Sequence, residues 1–172
     1  MSTYLVLTVI GDDKPGLVES LSAVIAQHQG NWLESSMAQL AGKFAGLLKV
    51  SVDDQYAEQL ISALRSLDKD LKLVIEKVQS GIESPAVNTV LLSLVGNDHP
   101  GIIREISHVL ARRNVNVEHL VSECIPAPMS GDMLFKARIK LSVPEGLDLL
   151  RLQSDLEKLA DDLIVEIQFT QD

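Results

Sequence analysis

Near the N-terminus, Leu5, Leu7 and Val9 alternate with their neighbours at the period of a strand with one buried face. Leu17, Val18, Leu21, Val24 and Ile25 then recur at helical spacing, and Gly30-Asn31 breaks that helix. Trp32 to Leu40 and Phe44 to Val52 read as two extended segments joined at Gly42, the pattern of a hairpin. Leu60, Ile61, Leu64 and Leu67 place one apolar face on a helix over Tyr56 to Leu67, and Leu71 to Val78 is a β-branched closing strand.

The same order recurs. A strand over Thr89 to Val95 leads into a helix over Ile102 to Arg113 and a hairpin of Val115 to Cys124 with Leu134 to Val143. A helix over Leu147 to Ala160 follows, then a strand over Leu163 to Phe169. Shifted by 85 residues, the chain overlays itself: eight of the 22 positions from Gly11 to Trp32 are identical to their counterparts, among them Asp13/Asp98, Pro15/Pro100, Gly16/Gly101 and Asn31/Asn116. The chain is a duplicated module. The order βαββαβ predicts an α+β fold of two tandem ferredoxin-like modules, each a four-stranded antiparallel sheet with two helices on one face. The expected boundaries are a first module over 1–79, a linker over 80–86 and a second module over 87–172.

Charge and composition narrow the function. Twenty-four acidic against 15 basic residues give a net charge of -9, which disfavours the counterion-releasing contacts that hold phosphate backbones. Aromatic residues are 3% of the chain, too few for platforms on which bases stack. No direct nucleic-acid partner is expected. Cys124 is the sole cysteine, so no intramolecular disulfide forms. The apolar N-terminal strand lacks a basic lead and a small-residue cleavage site, and the apolar run from Val90 to Val95 falls far short of a bilayer span of roughly 20 residues. A cytoplasmic protein without a membrane partner is the expectation.

Candidate chemistry concentrates in the repeated turn between first strand and first helix. Asp13 or Asp98 is suited to cap the helix, and the following glycine permits a backbone conformation that a Cβ would resist. Beyond it lie free helix amides at the positive end of the dipole, where a carboxylate gains about 0.3–1 kcal/mol. The same turn also serves as an ordinary helix entry with no ligand. Asn31 and Asn116 are open to two roles, a turn conformation or an amide reaching a ligand. His99 stands where the first copy has Lys14, so either presents positive charge to an acidic ligand or to solvent. His28, His108 and His119 show no metal-ligand spacing, and the Asp53-Asp54 and Asp161-Asp162 pairs read as a helix-start charge and a solvated surface. Trp32 and Met37 read as packing residues, and Cys124 has no basic cluster to activate it. Neither copy shows a CxxC metal loop, a phosphate-binding loop or a catalytic nucleophile with its base, so no enzyme activity, metal or cofactor is implied.

Gly11-Asp12-Asp13-Lys14-Pro15-Gly16-Leu17-Val18 and Gly96-Asn97-Asp98-His99-Pro100-Gly101-Ile102-Ile103, each between an apolar strand and an amphipathic helix, resemble the ACT domain, a small-molecule-sensing regulatory module. The whole chain resembles the glycine cleavage system transcriptional repressor family of bacteria. Asn114 to Ser122, and Ile125-Pro126-Ala127-Pro128-Met129 before Leu134-Phe135-Lys136-Ala137-Arg138, add to that likeness. The resemblance implies an amino-acid-responsive regulator, glycine being the ligand it points to, acting on transcription through a DNA-binding activator protein. It also implies a ligand site at the first loop and helix start, set against the second strand of a neighbouring module, with a homodimer as one way to supply that neighbour. Transferred to this chain, the site comprises Asp13, Gly16, Leu17 and Asn31, and Asp98, Gly101, Ile102 and Asn116 with His99 in the second loop. Gly30 and Trp32 stand where the second copy has Val115 and Val117, so the two sites need not be equivalent. An allosteric regulatory subunit of an amino-acid metabolic enzyme is the alternative reading, and a structural oligomerisation module a third.

Overall fold

A computed structural model describes residues 1–78 and 88–169. The chain divides into two compact units, Met1–Glu83 and Ser84–Asp172. The connection expected over 80–86 lies outside the described residues.

In the first unit, β1 (Ser2–Asp12), α1 (Leu17–Gln27), β2 (Asn31–Leu40), β3 (Lys43–Asp53), α2 (Asp54–Arg65) and β4 (Leu71–Val78) follow in order. In the second, the order is β5 (Asn88–Asn97), α3 (Ile102–Arg112), β6 (Asn116–Pro126), β7 (Met133–Val143), α4 (Leu149–Glu157) and β8 (Ile164–Phe169). Each unit forms one sheet, β2-β3-β1-β4 and β6-β7-β5-β8, and every strand pair is antiparallel. This is the ferredoxin-like arrangement that the duplicated pattern predicts.

Alternation sets which face each strand buries. Leu5, Leu7 and Val9 on β1 and Leu48, Val50 and Val52 on β3 pack beneath Leu17, Leu21 and Ile25 of α1 and Ala57, Leu60, Ile61 and Leu64 of α2. Val90, Leu92 and Leu94 on β5 and Ile139, Leu141 and Val143 on β7 do the same beneath Ile102, Ile106 and Leu110 of α3 and Leu152 and Leu156 of α4. The two cores share no buried residue. No polar or charged residue is buried among the described residues, so apolar burial carries both modules.

Both first helices end in the same way. Gly30 N–H donates to Ile25 O at 2.8 Å and Gln29 N–H to Ala26 O at 3.2 Å, with Gln29 at φ 60°. In the second copy Val115 N–H donates to Leu110 O and Asn114 N–H to Ala111 O, both at 3.0 Å, with Asn114 at φ 55°. These are Schellman closures, which return the last free carbonyls to the chain. The turn conformation considered for Asn31 and Asn116 therefore falls two residues earlier, because the closing motif needs its left-handed residue directly after the helix cap. Asn31 and Asn116 instead open β2 and β6.

Two further expectations are corrected. The last helix is shorter than Leu147 to Ala160. Gly146 takes φ 77° and Asp148 holds an extended conformation whose carboxylate accepts from Arg151 N–H at 3.1 Å, so α4 cannot start before Leu149. Leu147, Leu159 and Ala160 keep the apolar period because they pack on the core from outside the helix. Asp162 is exposed yet structural: its carboxylate accepts from Asn97 N–H at 2.6 Å and ties the end of β5 to the approach to β8.

Candidate functional site

The loops following β1 and β5 are held in matching positions by matching bonds. Asp13 N–H donates to Gly42 O at 2.9 Å and Asp98 N–H to Met133 O at 2.8 Å, which fastens each loop to the hairpin end of the adjacent strands. The aspartates act here through the backbone. The helix N-caps are Gly16 and Gly101, three residues on, and neither helix has a side-chain cap, which corrects the capping role expected of Asp13 and Asp98.

Gly16 and Gly101 adopt φ 91° and 94°, with ψ near 0° in both. An L-residue meets steric resistance there, so these positions call for glycine. Apart from the glycine and its chain neighbours, no atom lies within 4 Å of where a Cβ would stand at either position, so nothing crowds either cap. The first backbone bonds made back to these caps come from Ser20 to Gly16 O at 2.9 Å and from Glu105 to Gly101 O at 3.0 Å. Among the described residues, the amides of Leu17, Val18 and Glu19, and of Ile103 and Arg104, find no acceptor. Such amides at the positive end of a helix dipole are suited to an anion.

The second loop borders an open groove of about 350 Å³ lined by Pro100, Gly101, Arg104, Glu105 and His108. It brings a guanidinium and a carboxylate to the same helix start as the free amides. That combination matches both ends of a zwitterion, with amides and Arg104 toward a carboxylate and Glu105 toward an ammonium. Sequence reasoning passed over Arg104 and Glu105. The available signal was a reversal between copies, since the position of Arg104 is Glu19 in the first helix.

The two basic loop residues are already partnered. Lys14 pairs with Asp70, and His99 Nε2 lies 3.0 Å from a Glu105 carboxylate oxygen. The hydrogen bond to Glu105 is the main cause that holds the His99 pKa above its ordinary 6.5. Stability from this pair is therefore full below 6.5 and is lost as pH rises through the higher folded value. The His99 ring is therefore expected to titrate above 6.5 by NMR, and Glu105→Gln to bring the midpoint down. An unchanged midpoint in the variant would disprove the pairing. Cys124, on β6, faces the same loop. Desolvation, and then the Asp98 carboxylate near it, push its thiol pKa up, so the thiol is disfavoured as a nucleophile.

The residues assigned to one site divide into two places. Asp13, Gly16 and Leu17 share the loop end of the first module, as Asp98, His99, Gly101 and Ile102 do in the second. Asn31 pairs with Ser51, which pairs with Tyr4, and Asp12 lies eight residues farther along β1, roughly 26 Å away at about 3.3 Å per residue. Asn116 pairs with Ser142 opposite Thr89, at the same remove from Asn97. Within one module, neither asparagine meets the loop. Among the described residues, no group of three or more His, Cys, Asp or Glu side chains is placed to hold a metal, and no helix is long and apolar enough to cross a membrane.

Comparison with known proteins agrees with this geometry. Residues 3–77 and, separately, residues 90–161 match the ACT domain. The glycine cleavage system transcriptional repressor of Escherichia coli strain K12 is 23% identical over 163 residues, which span 93% of this chain and 85% of that protein. A crystal structure of a protein of unknown function from Galdieria sulphuraria superposes with a TM-score of 0.87 at 26% identity, over 99% of this chain and all of that one. A second crystal structure, provisionally assigned as a glycine cleavage system transcriptional repressor, superposes with a TM-score of 0.71 at 21% identity, over 100% of this chain and 99% of that one.

Proposed function

The chain belongs to the ACT-domain family, and from that premise we propose that it is a regulatory protein that senses a small amino acid, glycine in the first instance. The observation that carries this reading is the pair of glycine-capped helix starts, uncrowded at the cap and bearing amides without acceptors. The carboxylate of the amino acid takes the helix-start amides, and Arg104 reinforces them in the second module. The ammonium takes the nearby carboxylates, Asp98 and the Glu105 carboxylate that also holds His99 in the second module, and Asp13 in the first. Asn31 and Asn116 do not reach such a site within their own module, so the proposal takes the neighbouring strand from a second chain.

The output is transcriptional and indirect. A net charge of -9 opposes contact with a phosphate backbone, so the regulator acts on a DNA-binding activator protein. The similarity to the Escherichia coli repressor supports glycine cleavage genes as the target.

Calorimetric titration with glycine, alanine, serine and leucine tests the sensing step. Saturable binding is expected for glycine, weakening as the side chain grows. No heat from any of the four at millimolar concentration, with folded protein, would refute amino-acid sensing.

A further inference from the structure

The second module carries a separate basic groove between its helices. An open depression of about 570 Å³ is lined by His108, Val109, Arg112, Arg113, Arg151 and Asp155. Three guanidiniums thus converge in a chain that is acidic overall. Arg113 is fixed by an ion pair with Asp155, both side chains being partly buried. Among the described residues, neither Arg112 nor Arg151 has an ion-pair partner.

The duplication supplies an internal control. Aligned through the shared 85-residue register, Arg112 and Arg113 stand where the first copy has Gln27 and His28. Aligned through the buried pairs Leu60/Leu152 and Leu64/Leu156, Arg151 and Asp155 replace Gln59 and Ala63. The corresponding groove of the first module is lined by His28, Glu58, Gln59, Ser62, Ala63 and Ser66, with no arginine. The fold therefore does not require these charges.

Helix electrostatics separates them further. Arg112 and Arg113 at the end of α3 complement its dipole and have a structural reason to be basic. Arg151 lacks that reason, because it occupies the first turn of α4, where the dipole disfavours a cation. A cation kept at the unfavourable end of a helix and without an ion-pair partner is poised for an external anion. Planar guanidiniums bind phosphoryl oxygens in paired hydrogen bonds, so several of them in one groove match a chain of linked phosphates better than a single carboxylate.

We propose that the groove between α3 and α4 of the second module binds a polyphosphate-bearing small molecule, through Arg112, Arg113 and Arg151. It adjoins the groove beside Gly101 through His108, which lines both, but its arginines belong to the far end of α3 and to α4, and the proposal does not depend on what the loop binds.

The test titrates the full chain with inorganic tripolyphosphate, ADP and hexaglutamate at one fixed ionic strength, following heat and backbone amide shifts. Tripolyphosphate is expected to bind one-to-one with shifts confined to the last turns of α3, from His108 on, and the first turns of α4, leaving Ile103 and Arg104 unmoved. The double variant Arg112→Gln/Arg151→Gln is expected to weaken it at least tenfold, whereas Lys136→Gln/Arg138→Gln, an equal charge change on the open sheet face, leaves it unchanged. Circular dichroism confirms that both variants are folded. ADP binding as tightly as tripolyphosphate or more so supports the proposal with a nucleotide as the source of the phosphates, and weaker ADP binding supports it with another polyphosphate. Absence of saturable tripolyphosphate binding, equal weakening by both double variants, or tighter binding of hexaglutamate would overturn it. Glycine titrated into the same samples keeps this outcome separate from that of the loop.

Discussion

Leu92→Ala is expected to destabilise the second module by about 2–5 kcal/mol, while Leu91→Ala, one residue away, costs under about 1 kcal/mol. Leu92 is fully buried on β5, paired with Ile139 and Ile167 and packed beneath α3 and α4. Removing its isobutyl group forfeits transfer free energy and leaves a cavity that a close-packed core cannot wholly collapse around. Leu91 points to the open face, opposite Lys140 and Gln168, and is only half-buried. Two adjacent leucines of one strand thus report its register, since a slip by one residue would exchange their faces and reverse the order of the costs. Chemical denaturation of the two variants decides it, and equal losses would contradict the register of β5.

The second large effect concerns the loop. Gly101→Val is expected to reduce the affinity for glycine at least tenfold and to lower stability by about 1–2 kcal/mol or more. Gly101 lies at φ 94°, where a β-branched residue is strained, and relief of that strain rotates the helix start whose amides face the ligand. No neighbour lies within 4 Å of the added Cβ, so backbone strain is the cause and not a clash. Gly131→Val is the matched control: its φ is 75°, it is equally uncrowded, and it lies in the β6–β7 connection. The control is expected to lose similar stability and to keep its glycine affinity. Loss of binding in both variants would attribute the effect to general destabilisation.

Much of this architecture is legible in the sequence because apolar period and fold coincide. The closing strand Leu71–Val78 has the bounds its β-branched run predicts, and α1 starts at Leu17, directly after the glycine that ends the loop. Misreadings occur where a tertiary contact competes with period. Leu147, Leu159 and Ala160 satisfy a helical spacing but reach the core from turns, and the Asp148 cap decides the helix start. Gln29 adopts a left-handed conformation without being glycine, because two closing hydrogen bonds hold it there, so composition points to Asn31 instead.

The candidate site was half legible. The repeated Asp-Lys/His-Pro-Gly turn identifies the loop, but the caps are the glycines, since Asp13 and Asp98 spend their amides on the hairpin. Grouping Asn31 with Asp13 fails within a module because α1 runs back along the sheet and delivers Asn31 to its far end. Arg104 and Glu105 escaped notice because a single helical charge in an acidic chain reads as solvated surface until the groove beside Gly101 is seen.

The most direct test of amino-acid sensing follows the backbone amides of the full chain by NMR as glycine is added. Saturable shifts are expected at Leu17, Val18, Ile103 and Arg104, and the Gly101→Val variant is expected to lose those of Ile103 and Arg104. Shifts that fail to saturate at millimolar glycine, or that saturate only at residues remote from both helix starts, would contradict the account.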